Sequence, residues 1–194
     1  ANLSRELLQK MLGRVVNKSF NRISIDTDTS TSDTVIALAN GHAGEVDLEK
    51  FEDALTRIAV ILAKEIARDG EGSKKLIELT VSGAESQQMA LQIAKSIVNS
   101  PLVKTAIHGA DPNWGRFVMA VGKVFEFPVR LEDLSIQFGS ESQLMTVNVH
   151  NLDSGSVNLD SISKYLQNNE IQLKVIVGKG AFAETVWGCD LTKE

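Results

Sequence analysis

The stretch Ile77-Glu78-Leu79-Thr80-Val81-Ser82 decides the architecture. Its odd positions are apolar and its even positions polar, the two-residue period of a strand with one buried face. The segments on either side follow a different period. Upstream, Asp47 is placed to cap a long helix. Phe51, Leu55, Ile58, Leu62 and Ile66 recur along it at helical spacing and form its expected buried stripe, which ends near Asp69-Gly70. Downstream, Met89, Ile93, Ala94 and Ile97 mark another helix. A strand set between two amphipathic helices predicts an α/β (or α+β) fold, with mixed sheets layered with helices.

The same periods extend outward in both directions. Leu7, Leu8, Met11, Leu12 and Val15 predict a first helix with Ser4 as its cap. A strand carrying Phe20, Ile23 and Ile25 follows. The hydroxyl- and acid-rich run Asp26 to Thr34 then leads into an expected apolar helix, Val35 to Ala39, closed by Asn40-Gly41. Ser100-Pro101 opens a short helix ending near Gly109. Pro112 and Gly115 mark a turn before the apolar segment Phe117 to Val124. Leu134, Ile136 and Phe138 alternate with polar residues, as do Met145, Val147 and Val149. After a polar stretch (151–160, with Gly155 inside it) come a helix around Ile162 to Leu166 and a strand from Ile171 to Val177. A turn at Lys179-Gly180 precedes a last strand, Ala181 to Cys189. A soft boundary near residues 125–132 separates a larger α/β part (1–125) from a smaller sheet-rich part (126–194), within what a single continuous domain can also hold.

The balance of residues is that of a globular protein, with 43% hydrophobic and 23% charged. A formal net charge of −5 does not suggest nucleic-acid or anionic-membrane binding. The single cysteine, Cys189, cannot form an internal disulfide or a multi-cysteine zinc site, and fits a reducing cytoplasm. No apolar run approaches the roughly 20 residues of a membrane span, and no signal peptide is visible.

Three polar blocks are candidates for chemistry. Asp26 to Asp33 reads as a capped turn or as the polar wall of a site; it lacks the Gly and terminal Glu of a calcium loop. Arg68 to Lys75 sets Glu71 between Gly70 and Gly72. A carboxylate held there can bind a substrate ammonium, while a solvated loop with Lys74 and Lys75 outward is the plain alternative. His108 to Arg116 gathers His, Asp, Asn, Trp and Arg into nine residues. It reads as an acid–base or metal site, or as a rigid turn with an internal Asp–Arg pair. Cys189, beside Trp187 in an apolar strand, reads as a small core residue. No self-contained catalytic set emerges.

Several blocks in order carry a resemblance. They are Ser19-Phe20-Asn21-Arg22-Ile23 with Asp26 to Thr34, Ala39-Asn40-Gly41, and Asp69-Gly70-Glu71-Gly72 with Lys75-Leu76-Ile77-Glu78. Val98 to Ala106, Pro112 to Arg116 and Trp187 to Thr192 follow. Together they span most of the chain and resemble the ornithine acetyltransferases, or glutamate N-acetyltransferases, of bifunctional arginine biosynthesis.

That resemblance implies a precursor that cuts itself into α and β subunits and a fold of the N-terminal-nucleophile type completed by the α-subunit. The nucleophile is then a threonine newly exposed at the start of β, just upstream of Ala1, so no residue of this chain inherits the role. Acetyl passes from N-acetylornithine to that threonine and then to glutamate, without cofactor or metal. By motif, Glu71 matches the family's substrate-binding glutamate and is expected to hold the substrate α-amino group. The resemblance also implies a cytoplasmic α2β2 or larger assembly. An N-terminal-nucleophile aminopeptidase or amidase, and a noncatalytic structural subunit, are the competing readings.

Overall fold

The computed structural model describes residues 1–28, 30–140, 143–151 and 158–190. Thr29, Gly155 and the Leu191-Thr192 end of the last motif lie outside them.

The odd–even pattern around residue 77 becomes β2 (Leu76–Ala84), a central strand. It pairs in parallel with β5 (Glu170–Ile176) and antiparallel with β6 (Phe182–Cys189). Beyond β6 lies the two-residue β1 (Ile23–Ser24), and beyond β5 lie β3 (Ser135–Phe138) and β4 (Met145–Asn148). The six strands form one mixed sheet in the order β1-β6-β2-β5-β3-β4. It joins strands from both sides of residue 125, and residues 125–132 fall in the connection between α5 (Trp114–Gly122) and β3.

The pleat sends the two halves of the pattern to different cores. Ile77, Leu79 and Val81 enter the larger one, with Ile171, Leu173 and Val175 of β5 and Ile136 and Phe138 of β3. Against them lies α3 (Gln87–Val98), whose Ala90, Ile93, Ala94 and Ile97 are fully buried. Phe117 of α5 meets Phe138 edge-on, ring centroids 5.6 Å apart, a favoured aromatic geometry. On the other face, Leu76 and Trp187 pack on Ala63 and Ala67 of α2 (Leu48–Arg68). The α1 helix (Arg5–Lys18), capped by Ser4, sets Met11 and Val15 against Ala59 of α2. The short helices α4 (Pro101–His108) and α6 (Leu159–Tyr165) complete the set.

Several expectations need correction. The stripe on α2 holds only at its start, where Phe51 and Leu55 pack against the Met11, Val15 and Ala59 cluster. Ile58, Leu62 and Ile66 are half exposed or more, whereas Ala59, Ala63 and Ala67 are buried. Small residues let the helix lie close to the sheet, and the bulkier residues turn outward. Val35 to Ala39 forms no helix. Five apolar residues are too few to nucleate one without packing, and Val35, Ile36 and Leu38 stay exposed. The expected strand around Phe20 is a 3₁₀ turn, Phe20–Arg22, leading into β1. Gly115 lies inside α5 rather than in the turn before it.

Candidate functional site

The loop carrying Glu71 joins α2 to β2. Asp69 ends the helix, the Ser73 N–H donates to the Gly70 carbonyl (2.9 Å), and the Ser73 hydroxyl donates to the Arg68 carbonyl (3.0 Å). Gly72 has a φ of +67°, a conformation in which a Cβ is strained. Gly70 is required for a different reason: a Cβ there would stand 2.8 Å from Sγ of Cys189. The turn is therefore tight and seated on the end of β6. Glu71 projects from it, exposed, with no side-chain partner among the described residues.

A buried polar network holds that loop in place. Asp190 follows β6 and is almost completely buried. Its Oδ1 accepts the backbone N–H groups of Lys74 (2.8 Å) and Lys75 (2.9 Å), and its Oδ2 lies 2.7 Å from His108 Nδ1. Lys75 does not point outward. Its ammonium donates to the carbonyls of Ile107 (2.7 Å), His108 (3.2 Å) and Leu166 (2.6 Å), closing off the ends of α4 and α6. Burial pushes this amine below the usual lysine value, and the charge of Asp190 partly opposes the shift.

Lys104, on α4, is equally buried. It donates to the Cys189 carbonyl (2.6 Å) and stands 3.9 Å from the Cys189 thiol. Desolvation lowers its value too, opposed by nearby Cys189, Asp190 and Asp26. The same burial raises the Cys189 thiol. Cys189 is thus a core residue, with an amine against its backbone.

The His108 to Arg116 block divides. His108 joins the Asp190 network, whereas Arg116 fastens α5 to α4. Arg116 Nη1 donates to the Leu102 carbonyl and the Thr105 hydroxyl (both 2.9 Å), and Nη2 pairs with Asp111 at 3.7 Å. Asp26 to Asp33 is exposed where described; the Asp28 N–H donates to Asp26 Oδ1 (2.9 Å), an Asx turn with no helix behind it. Asp190, Lys75 and Lys104 escaped the sequence reading as site-forming groups. Their signals were a charged residue at the edge of an apolar strand or helix and a place inside the motif blocks.

An open groove of about 520 Å³ lies beside the start of the loop, walled by Phe20, Leu62, Glu65, Ile66, Arg68 and Asp69. It is mostly apolar and stops short of Glu71. Among the described residues, no group of three or more His, Cys, Asp or Glu side chains is placed to hold a metal ion. No described hydrogen bond joins a histidine to a hydroxyl or thiol. The site is a carboxylate presented on a braced turn, able to receive a cationic group. Among the described residues, no helix is long and apolar enough to cross a membrane.

The fold defines a mixed α/β chain, and its candidate site is one exposed carboxylate on a braced turn. The ArgJ family model matches residues 1–194. The arginine biosynthesis bifunctional protein ArgJ 2 of Clostridium acetobutylicum is 49% identical, over 100% of this chain and 49% of that protein. Glutamate N-acetyltransferase Oat2 of Streptomyces clavuligerus is 44% identical, over 95% of this chain and 47% of that protein. The crystal structure of the bifunctional protein ArgJ from Bacillus halodurans superposes with a TM-score of 0.90 at 38% identity, covering 100% of this chain and 92% of the crystallised one. The chain spans about half the length of the curated relatives it matches. This chain belongs to the ArgJ family, as its motifs indicated.

Proposed function

We propose that this chain is the β-type half of a glutamate N-acetyltransferase that moves an acetyl group from N-acetylornithine to glutamate. The observation that carries this reading is the exposed Glu71 carboxylate, in the motif Asp69-Gly70-Glu71-Gly72, on a turn braced by Gly70, Cys189 and Asp190. Family membership along the whole chain supports it, as do relatives named as glutamate N-acetyltransferase and arginine biosynthesis bifunctional protein.

In this reading, the hydroxyl of an N-terminal threonine upstream of Ala1 attacks the acetyl carbonyl of N-acetylornithine. The free α-amine of the threonine takes the hydroxyl proton. An oxyanion hole from the α-subunit stabilises the tetrahedral charge. The C–N bond breaks, and ornithine leaves with a proton. The glutamate amine then attacks the acetyl-threonine ester, releasing N-acetylglutamate and the free hydroxyl. Glu71 receives the α-amino group of each amino acid: it accepts a hydrogen bond from the ornithine amine as it leaves, and a charge-assisted one from the glutamate α-ammonium as it enters, before that group gives up a proton and attacks. The chain works beside its α-subunit in a cytoplasmic α2β2 or larger assembly, with no metal or cofactor required.

The test uses the assembled product of the parent gene, supplied with N-acetylornithine and glutamate. Mass spectrometry should find one acetyl group on the threonine in the absence of acceptor, and N-acetylglutamate once glutamate is added. Glu71→Gln should lower kcat/KM by roughly ten- to a hundredfold, the worth of one hydrogen bond to a charged group. Release of acetate in place of N-acetylglutamate would make the protein a hydrolase. An unchanged kcat/KM would remove Glu71 from the site.

A further inference from the structure

We infer that residues 34–40 are a strand awaiting a partner, and that the partner is the other half of this protein. The inference rests on the subunit reading above and gives that reading a surface. The segment Thr34-Val35-Ile36-Ala37-Leu38-Ala39-Asn40 forms neither helix nor sheet. Among the described residues, none of its backbone N–H or C=O groups makes a backbone hydrogen bond. Such a run belongs on a polar loop, yet this one is apolar. Ile36 is 74% and Leu38 93% exposed.

From Ile36 to Asn40 the exposure alternates. Ala37 and Ala39 are half-buried, and residues 37–39 lie across a small cavity from Leu8 and Leu12 of α1. Ile36 and Leu38 stay largely in the open, Leu38 at the edge of the same cavity. That is the two-residue period of a strand with one face already seated. The unpaired backbone groups along its edge form a template for a further strand. The outward side chains need a second apolar layer, since an exposed apolar edge strand left bare promotes aggregation.

One occupant is favoured. The matched relatives are about twice as long as this chain, so a further stretch of comparable length exists in them. The segment is also tied to the first residues of the chain. The Gly41 N–H donates to the Ala1 carbonyl (3.1 Å), the Asn2 N–H to the Gly44 carbonyl (2.8 Å), and the Asn2 side chain to Glu45 (2.6 Å). Under the subunit reading, the junction between the halves lies just upstream of Ala1. The bare edge is therefore tied to the end of this chain that adjoined the companion's last residues before the cut.

Hydrogen exchange of the assembled protein, read by mass spectrometry, tests this, together with its native mass. Amides of residues 35–39 should exchange at least about a hundredfold more slowly than in an unstructured peptide of the same sequence. Leu38→Glu, or Ala37→Pro, which removes a ladder donor, should release the companion chain or abolish that protection. A companion present in the native mass while residues 35–39 exchange freely overturns the strand and leaves the subunit reading standing. Protection in an assembly of this chain alone overturns the companion in favour of a second copy. A native mass with no companion and free exchange overturns both the strand and the subunit reading.

Discussion

His108 Nδ1 stands 2.7 Å from Oδ2 of Asp190, across 82 residues of sequence, and fixes the end of α4 to the end of β6. The other oxygen of the same carboxylate anchors the backbone of Lys74 and Lys75, where the Glu71 loop enters β2. One buried side chain thus ties three elements together. Asp190→Ala would leave two backbone donors and a histidine without an acceptor in a buried place. A loss of about 3 kcal/mol is expected, with less for Asp190→Asn, which keeps an acceptor oxygen. Urea unfolding of the assembled protein measures both, and equal losses would show that the carboxylate braces nothing.

The loop also depends on the absence of a side chain at Gly70. Gly70→Ala places a methyl group 2.8 Å from Cys189 Sγ, close enough that something must shift. Cys189→Ala removes that sulfur. A double-mutant cycle should therefore show the two changes compensating by about 1 kcal/mol or more. Simple additivity would mean that the loop does not rest on Cys189.

Lys104 should make stability rise with alkalinity. Its folded value is held below the ordinary 10.5 by burial, so between the two values the unfolded chain binds a proton that the folded chain has released. Unfolding takes up protons in that window, and the folded state gains as pH rises through it. Cys189, raised from 9.0, acts in the opposite sense at its own window. The comparison must therefore keep the cysteine in both proteins. Relative to Lys104→Met, the parent should become more stable as pH approaches 10.5, in denaturant titrations at stepped pH. A constant difference would show that the amine is not desolvated in solution.

The alanine line on α2 separates packing from apparent amphipathicity. Ala63→Leu inserts volume where none is free, and should cost about 1–3 kcal/mol. Leu62→Ala removes a half-exposed side chain and should cost well under half of what a fully buried leucine loses. Thermal or urea unfolding ranks the two. The reverse order would restore the stripe expected from the sequence.

Much of the fold is legible in the sequence because local period and capping suffice for it. Ser4 and Asp47 cap helices through their own side chains, and the strands around residues 77, 136 and 171 alternate as their neighbours in space require. Glu71 was legible through its flanking glycines and its motif. Its braces were not, because the partners of Asp190 lie 82 and 115 or more residues away. The helix expected at Val35 to Ala39 failed for a related reason. Apolar content names a residue that wants burial, but not the geometry in which burial is found.

The sequence by itself determined the alternation of helices and strands, the family, and the carboxylate on its glycine turn. These follow from interactions within a few residues or from the order of motifs. Tertiary structure alone decided that α2 buries its alanines, that Lys75 and Lys104 turn inward, and that Asp190 holds the Glu71 loop. Each of these depends on how closely two distant backbones approach and on which carbonyls are left facing the gap.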